Sequence, residues 1–386
     1  MTAIAAPVAD ASPLSLARGA AGIALLRIEQ ALAGSRTWAD ADAAVRKAAA
    51  VSVDASPASG LFYGAPALTF VLYTACADGQ PRYQTAAKEL VGHVQRIARQ
   101  RAASAIDRLG RGADATFREY DLFSGLTGIG ALLLRASPDT DALAEILRYL
   151  TLLARSRASG DPTVPGWWVG HDPDPVMRTP GGHANLGMAH GAAGILAFLS
   201  TAAIAGRNVD GLDEAIDGLT AFFDRWRQDS PDGPWWPQWL TRADLLANHP
   251  TCTGPGRASW CYGTPGIARA LQLAAIANAD HSRQADTERD LAASLAGPQL
   301  TRLTEVGLCH GIAGAYQTAV RAAADAITPD IGACLPAMEK TLTDSAITAD
   351  LGPGLLTGNV GLQLAQETLR RSALPISGWD SCLLLA

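Results

Sequence analysis

Apolar positions along the chain fall into two alternating patterns. One is a run apolar on most faces and rich in alanine and leucine, such as "GIALLRIEQAL" from Gly22 or "GILAFLSTAAIA" from Gly194. A helix of that composition is buried all round. The other is amphipathic, as in "YQTAAKELVGHVQRIARQRA" from Tyr83, "TDALAEILRYLTLLARS" from Thr140 and "LDEAIDGLTAFFDRWRQ" from Leu212. There apolar residues recur every three or four positions with charges between, which predicts a helix buried on one side. Strand-like alternation is scarce.

Each buried run is preceded by a Gly-x-x-Gly step, and the step recurs. It is found at Gly19/Gly22, Gly64 (with Ala67 in the second place), Gly125/Gly128, Gly191/Gly194, Gly263/Gly266, Gly311/Gly314 and Gly358/Gly361. The intervals between first glycines are 45, 61, 66, 72, 48 and 47 residues, each long enough for two helices. Internal repetition on this scale signals a repeat architecture. Thr264-Pro265 predicts a helix start there, with threonine as the cap and proline at the first helical position. The expected fold is all-α: a ring of seven inner helices wrapped by outer ones, spanning residues 1–386 as a single domain. The glycines are expected to let the inner helices approach their neighbours closely. Segments 158–187 and 229–256, rich in Pro, Gly and Trp, break the periodicity and are read as long loops with minor strands.

Composition narrows the function classes. Of the 386 residues 48% are hydrophobic and only 18% charged, so a large core is available, and the net charge is −6. A mildly acidic chain without basic blocks argues against nucleic acid as a partner. The N-terminal "MTAIAAPVADASPLSLARG" lacks the pattern of a secretory signal, and no uncharged stretch has the length of a membrane span. A soluble, cytoplasmic protein is expected, reaching a membrane only through partners. The six cysteines are scattered, which argues against a disulfide framework.

The glycine register singles out candidate chemistry. Cys261 and Cys309 lie two residues before a first glycine, His190 and His310 one before, and Asp121 four before. If the inner helices share one polarity, these residues converge on one mouth of the ring. Two thiols and an imidazole suit catalytic Zn²⁺, which keeps its fourth position for water or substrate. Cys76, Cys252, Cys334 and Cys382 lack the register and are assigned to packing. Taken alone, His190 is either a core histidine or a proton carrier, Asp121 either a helix cap or a site carboxylate, and Arg257 a surface arginine. His93, His171, His183, His249 and His281 show no register. Trp235, Trp236 and Trp239 are assigned to covering apolar surface. The glycines form neither a dinucleotide fingerprint nor a phosphate loop.

In this order, "NLGMAHGAAG", "WCYGTPG" and "CHGIAG", with seven glycine repeats and the closing "ISGWDSCLLL", resemble the lanthionine synthetase C family, the lanthipeptide cyclases. The resemblance covers essentially the whole chain. It implies an α,α-toroid of seven inner and seven outer helices around a zinc site held by Cys261, Cys309 and His310. It implies that His190 is an acid/base residue, supported by Asp121 and Arg257. Trp260 and Tyr262, the flanks of Cys261 in the same motif, are expected to contact substrate. The implied activity joins a cysteine thiol to a dehydroalanine or dehydrobutyrine of the same dehydrated precursor peptide, leader plus core. A dehydratase and an export transporter are the implied partners. No kinase, lyase or dehydratase region fits within the chain, so a stand-alone cyclase is expected. Two other classes are weighed against it. One is a zinc-bearing scaffold or thiol-adduct protein of the same fold, which would need only the metal ligands. The other is an α,α-barrel glycosidase, which would need a carboxylate pair that the register does not supply.

Overall fold

The computed structural model describes residues 12–157, 162–174, 176–348 and 351–386. The N-terminal residues 1–11, on which the absence of a signal was partly read, lie outside them. Seven inner helices follow the glycine steps: Ala20–Leu32, Ala65–Thr74, Leu126–Ala136, Ala192–Ile204, Thr264–Ala277, Ile312–Asp325 and Asn359–Arg371. They define repeats one to seven. The helix of repeat four buries 10 of its 13 residues, as its composition requires. Between the inner helices run outer helices Trp38–Ala48, Gln84–Gly110, Asp141–Leu153, Leu212–Trp226, His281–Ser294 and Asp330–Thr348. In Leu212–Trp226 the buried residues are Leu212, Ala215, Ile216, Leu219, Thr220, Phe223 and Trp226. These trace one face at helical spacing.

Each inner helix packs on the next, and the seventh packs on the first. The ring is therefore closed, an α,α-toroid. Six outer helices occupy the six intervals between inner ones. A seventh is not among the described residues. After repeat seven the chain turns inward instead, and Ser377 and Trp379–Leu385 are buried within the ring. Glu29 of repeat one accepts hydrogen bonds from the Ser377 N–H (2.9 Å) and hydroxyl (2.6 Å). Arg321 of repeat six grips Asp380 with two N–H groups at 2.6 and 2.7 Å. Arg269 of repeat five donates to the Leu385 carbonyl at 2.8 Å. Among the described residues no helix is long and apolar enough to cross a membrane.

The glycines act first on their own chain. A Cβ on Gly266 would collide with the carbonyl oxygen of Trp260, and one on Gly314 with that of Leu308. In both cases the obstacle lies six residues upstream, so the turn before the helix folds back onto the helix's first turn. The neighbouring repeat is close as well: a Cβ on Gly128 would come within 2.9 Å of the Leu61 Cβ and one on Gly361 within 2.8 Å of the Leu308 side chain, while the Gly266 Cβ would sit 3.3 Å from the Met188 Cβ. Repeat two, with Ala67, enters its helix through Gly64 at φ 75° instead. In repeat five the cap is Gly263, and Thr264 is already the first helical residue. The predicted start there is late by one position because the extended glycine, not the threonine side chain, ends the turn.

These turns are tied to one another by a belt of backbone hydrogen bonds that runs round the whole mouth. Leu16 donates to Phe62 (3.0 Å), Phe62 to Phe123 (3.2 Å), and Leu122 to Ala189 (3.2 Å). Ala189 donates to Cys261 (3.2 Å), Cys261 to Cys309 (3.2 Å), Cys309 to Leu356 (2.8 Å), and Leu355 to Ala17 (2.7 Å). All inner helices thus start at the same end. The two long loops lie beside that end. Ser156–Arg157 pairs with Val164–Pro165, and Ala184–Asn185 pairs antiparallel with Trp239–Leu240 of the other loop. The second loop also holds a short helix, Arg242–Ala247, with a Thr241/Asp244 capping box. The sequence reading missed that helix, although T-x-x-D is its signature.

Candidate active site

Cys261 and Cys309 occupy equivalent positions of neighbouring repeats, and the belt bond between them sets their backbones side by side. His310 follows at the loop-to-helix junction. One ligand atom from each of the three lies within 4.8 Å of the others. Both cysteines are free. The His310 Nε2 is engaged by the Glu305 carboxylate at 2.6 Å, which leaves Nδ1 as the nitrogen for a ligand role. The other Glu305 oxygen accepts from Arg257 at 2.8 Å.

The three side chains share their protons unevenly. Burial alone would raise the Cys261 thiol, but hydrogen bonds from Cys309 and His310 outweigh it and hold Cys261 well below the ordinary thiol range. The bond to Cys261, with burial, pushes Cys309 well up. The same thiolate raises His310. A thiolate therefore sits between two proton donors.

His190 lies one belt position away, before the helix of repeat four. Its Nδ1 is 2.6 Å from Asp121 Oδ2. The other Asp121 oxygen accepts from the Ser124 and Gly125 N–H groups, both at 2.8 Å, at the start of the helix of repeat three. Asp121 is thus a partner of His190 and the anchor of the turn that leads into this helix, whose cap is Gly125. The Tyr120 hydroxyl donates to the His190 carbonyl at 3.1 Å, and the Phe117 ring stacks on the imidazole at 4.9 Å between centroids. Phe123 meets it edge-on at 5.0 Å. With Nδ1 held, Nε2 is the nitrogen that remains to work.

Tyr262 stands between the two groups. Its ring centre is 6.1 Å from that of His190. Burial, and then the neighbouring Cys261, keeps its hydroxyl protonated well above the usual range. Gly187 makes room for it: a Cβ there would come within 2.7 Å of the Tyr262 ring. Trp260 corrects an expectation. It is fully buried, and its indole N–H donates to the Leu383 carbonyl at 3.0 Å. Within the same motif Tyr262 lies against the His190 ring and Trp260 against the tail inside the ring. A core residue with its polar atom engaged has nothing left for substrate.

Cys261, Cys309 and His310 are therefore brought together, with Arg257 reached through Glu305. His190 and Asp121 form a second pair bridged toward them by Tyr262. Glu305 and Phe117 were missed. Glu305 had a signal, since it lies six residues before its glycine, as Arg257 does before Gly263; Phe117 had none. Of the residues assigned to packing, His183 is buried and pushed down to about 4 by burial and then by His171. Cys382 is buried, Cys76 and Cys334 are half-buried, and Cys252 is exposed.

Comparison with known proteins bears on the same stretch. A family model described as lanthionine synthetase C-like protein matches residues 10–384. Curated protein sequences give no match. Thirteen solved chains match. Among them is one titled nisin cyclase, with a TM-score of 0.81 at 18% identity over 97% of this chain and 92% of that one. At that identity the likeness establishes the toroid.

Proposed function

The chain belongs to the lanthionine synthetase C-like family, and from that premise we propose that it is a zinc-dependent lanthipeptide cyclase. Its substrate is a precursor peptide that carries cysteines together with dehydroalanine or dehydrobutyrine. The reaction adds a cysteine thiol of that peptide across the dehydro double bond. A carbon–sulfur bond forms at the β-carbon, the thiol proton ends on the α-carbon, and a thioether ring closes without change of mass.

The donor set fits zinc. Bond lengths of about 2.3 Å to sulfur put two tetrahedral thiolates about 3.8 Å apart, within the 4.8 Å spread of Cys261, Cys309 and His310. The depressed Cys261 thiol supplies one negative ligand before any metal enters. Zn²⁺ held by these residues would offer its remaining position to the substrate sulfur and hold it as thiolate near neutral pH. The other roles fall to the protein's own groups. His190 accepts and returns a proton at Nε2, kept free because Asp121 engages Nδ1. Arg257, steadied by Glu305, turns its remaining N–H groups to the enolate oxygen that develops next to the α-carbon. Tyr262 stays protonated and lines the path between the thiols and His190. An enzyme that makes the dehydro residues must act first, and a dehydratase and an exporter are the fitting cytoplasmic partners. The catalytic unit spans residues 1–386.

What carries this reading is the placement of a two-thiol, one-imidazole cluster and a separate carboxylate-held histidine on consecutive turns of one ring. The test is incubation of zinc-loaded protein with a synthetic peptide bearing one cysteine and one dehydroalanine, followed by thiol alkylation and mass spectrometry. Loss of the alkylatable thiol at unchanged mass supports a cyclase. A protein that holds stoichiometric zinc yet leaves the thiol free is a scaffold.

A further inference from the structure

Among the described residues, Glu305 is the carboxylate that touches both the cluster and Arg257. It is half-exposed, but its backbone is fixed: its carbonyl accepts from Ile312 N–H at 3.1 Å, in the first turn of the helix that follows His310. One side-chain oxygen is 2.6 Å from His310 Nε2 and the other 2.8 Å from Arg257. A histidine whose Nε2–H is given to a carboxylate must present Nδ1 as its lone pair. Ring orientation is fixed by the same bond. Such partners of ligating histidines tune metal binding by about 10–100-fold.

We propose that Glu305 is a positioning residue for the zinc site: it fixes the His310 tautomer that can bind metal and ties Arg257 to the same point. This rests on the zinc reading given above. Nothing in the glycine register required it. A residue at position 305 with no acceptor in reach would leave all three ligands in place, with the imidazole free to rotate or to present the wrong nitrogen.

The experiment measures zinc affinity by chelator competition, and ligand geometry by Co²⁺ absorption, in the parent and in four variants. Glu305→Ala and Glu305→Leu both delete the acceptor, one leaving space and the other filling it. Either should weaken zinc about 10–100-fold while the metal-free protein keeps its melting temperature and the Co²⁺ complex keeps its thiolate bands. Glu305→Gln retains a carbonyl that can accept from Nε2–H and should recover most of the affinity. Parent-like affinity in Ala or Leu overturns the proposal, and so does a loss in Gln equal to that in Ala. Cys309→Ala separates this from the reading beneath it. If that variant also binds zinc as the parent does, the cluster is not a zinc site, whatever Glu305 does.

Discussion

Asp121 has two jobs on two oxygens, and Asp121→Asn separates them. The amide oxygen can still accept from the Ser124 and Gly125 N–H groups, because an asparagine side chain closes such a turn as an aspartate does. Facing His190, however, the substitution exchanges an acceptor for a donor or a neutral oxygen. An amide N–H offered to Nδ1 drives the proton to Nε2, and the nitrogen aimed at the substrate loses its lone pair. The loss should then approach the full contribution of general acid–base catalysis, about 10²–10⁴-fold in rate, or about 2.7–5.5 kcal/mol of barrier at 1.36 kcal/mol per decade. The cost in stability is smaller, about 1–2 kcal/mol from weakening one charge-assisted hydrogen bond. Asp121→Ala should cost about 1–3 kcal/mol more, the scale of leaving the turn's N–H groups without their acceptor, with a rate no better than that of Asn. The assay is single-turnover thioether formation, read by thiol alkylation and mass spectrometry, beside thermal melts and zinc content. An Asn variant that cyclises at the parent rate refutes the orienting role. An Ala variant as stable as Asn refutes the anchoring of the turn.

Further outcomes are expected from the same geometry. His190→Ala should keep its zinc and lose about 10²–10⁴-fold in rate; loss of zinc in step with activity would make His190 a metal ligand. Zinc binding should release protons, because Cys309 and His310 both hold theirs more tightly than usual. Affinity should therefore fall as pH falls, about tenfold per unit for each proton displaced, and calorimetry in buffers of different ionisation enthalpy would count them. Deleting residues 383–386 removes three buried leucines, each worth about 1.5–3 kcal/mol, and orphans the Trp260 indole. A melting temperature unchanged by that deletion would show that the tail is not part of the core.

The repeat was legible because the physics behind it is local. A backbone carbonyl lies where a Cβ would be, so glycine recurs at a fixed offset and the helix start is marked each time. Cys261, Cys309, His310 and His190 were legible for the same reason, since they sit at fixed distances from those glycines. Trp260 was misplaced because adjacency in sequence says nothing about which way a turn directs a side chain. The tail was invisible as an axial element: an apolar "CLLL" reads as core anywhere, and only closure of the ring creates an axis for it to occupy. Among the described residues no outer helix follows repeat seven for the same reason: the chain there goes inward.

The belt of backbone hydrogen bonds has a consequence for how such a protein can change. In an open stack of repeats, a unit can be gained or lost at either end, and stability shifts by roughly one increment. Here Leu355 reaches back to Ala17, so there is no end at which to add. One unit more or fewer would alter the angle at every joint and break the girdle unless all seven adjust together. Variation must then go between the joints, not into their number. The intervals agree: they range from 45 to 72 residues, and two of the longer ones hold the loops around 158–187 and 229–256. Those loops stand at the mouth, where a peptide would arrive. The number of repeats is locked by closure, and the freedom to meet new substrates is left to the linking segments.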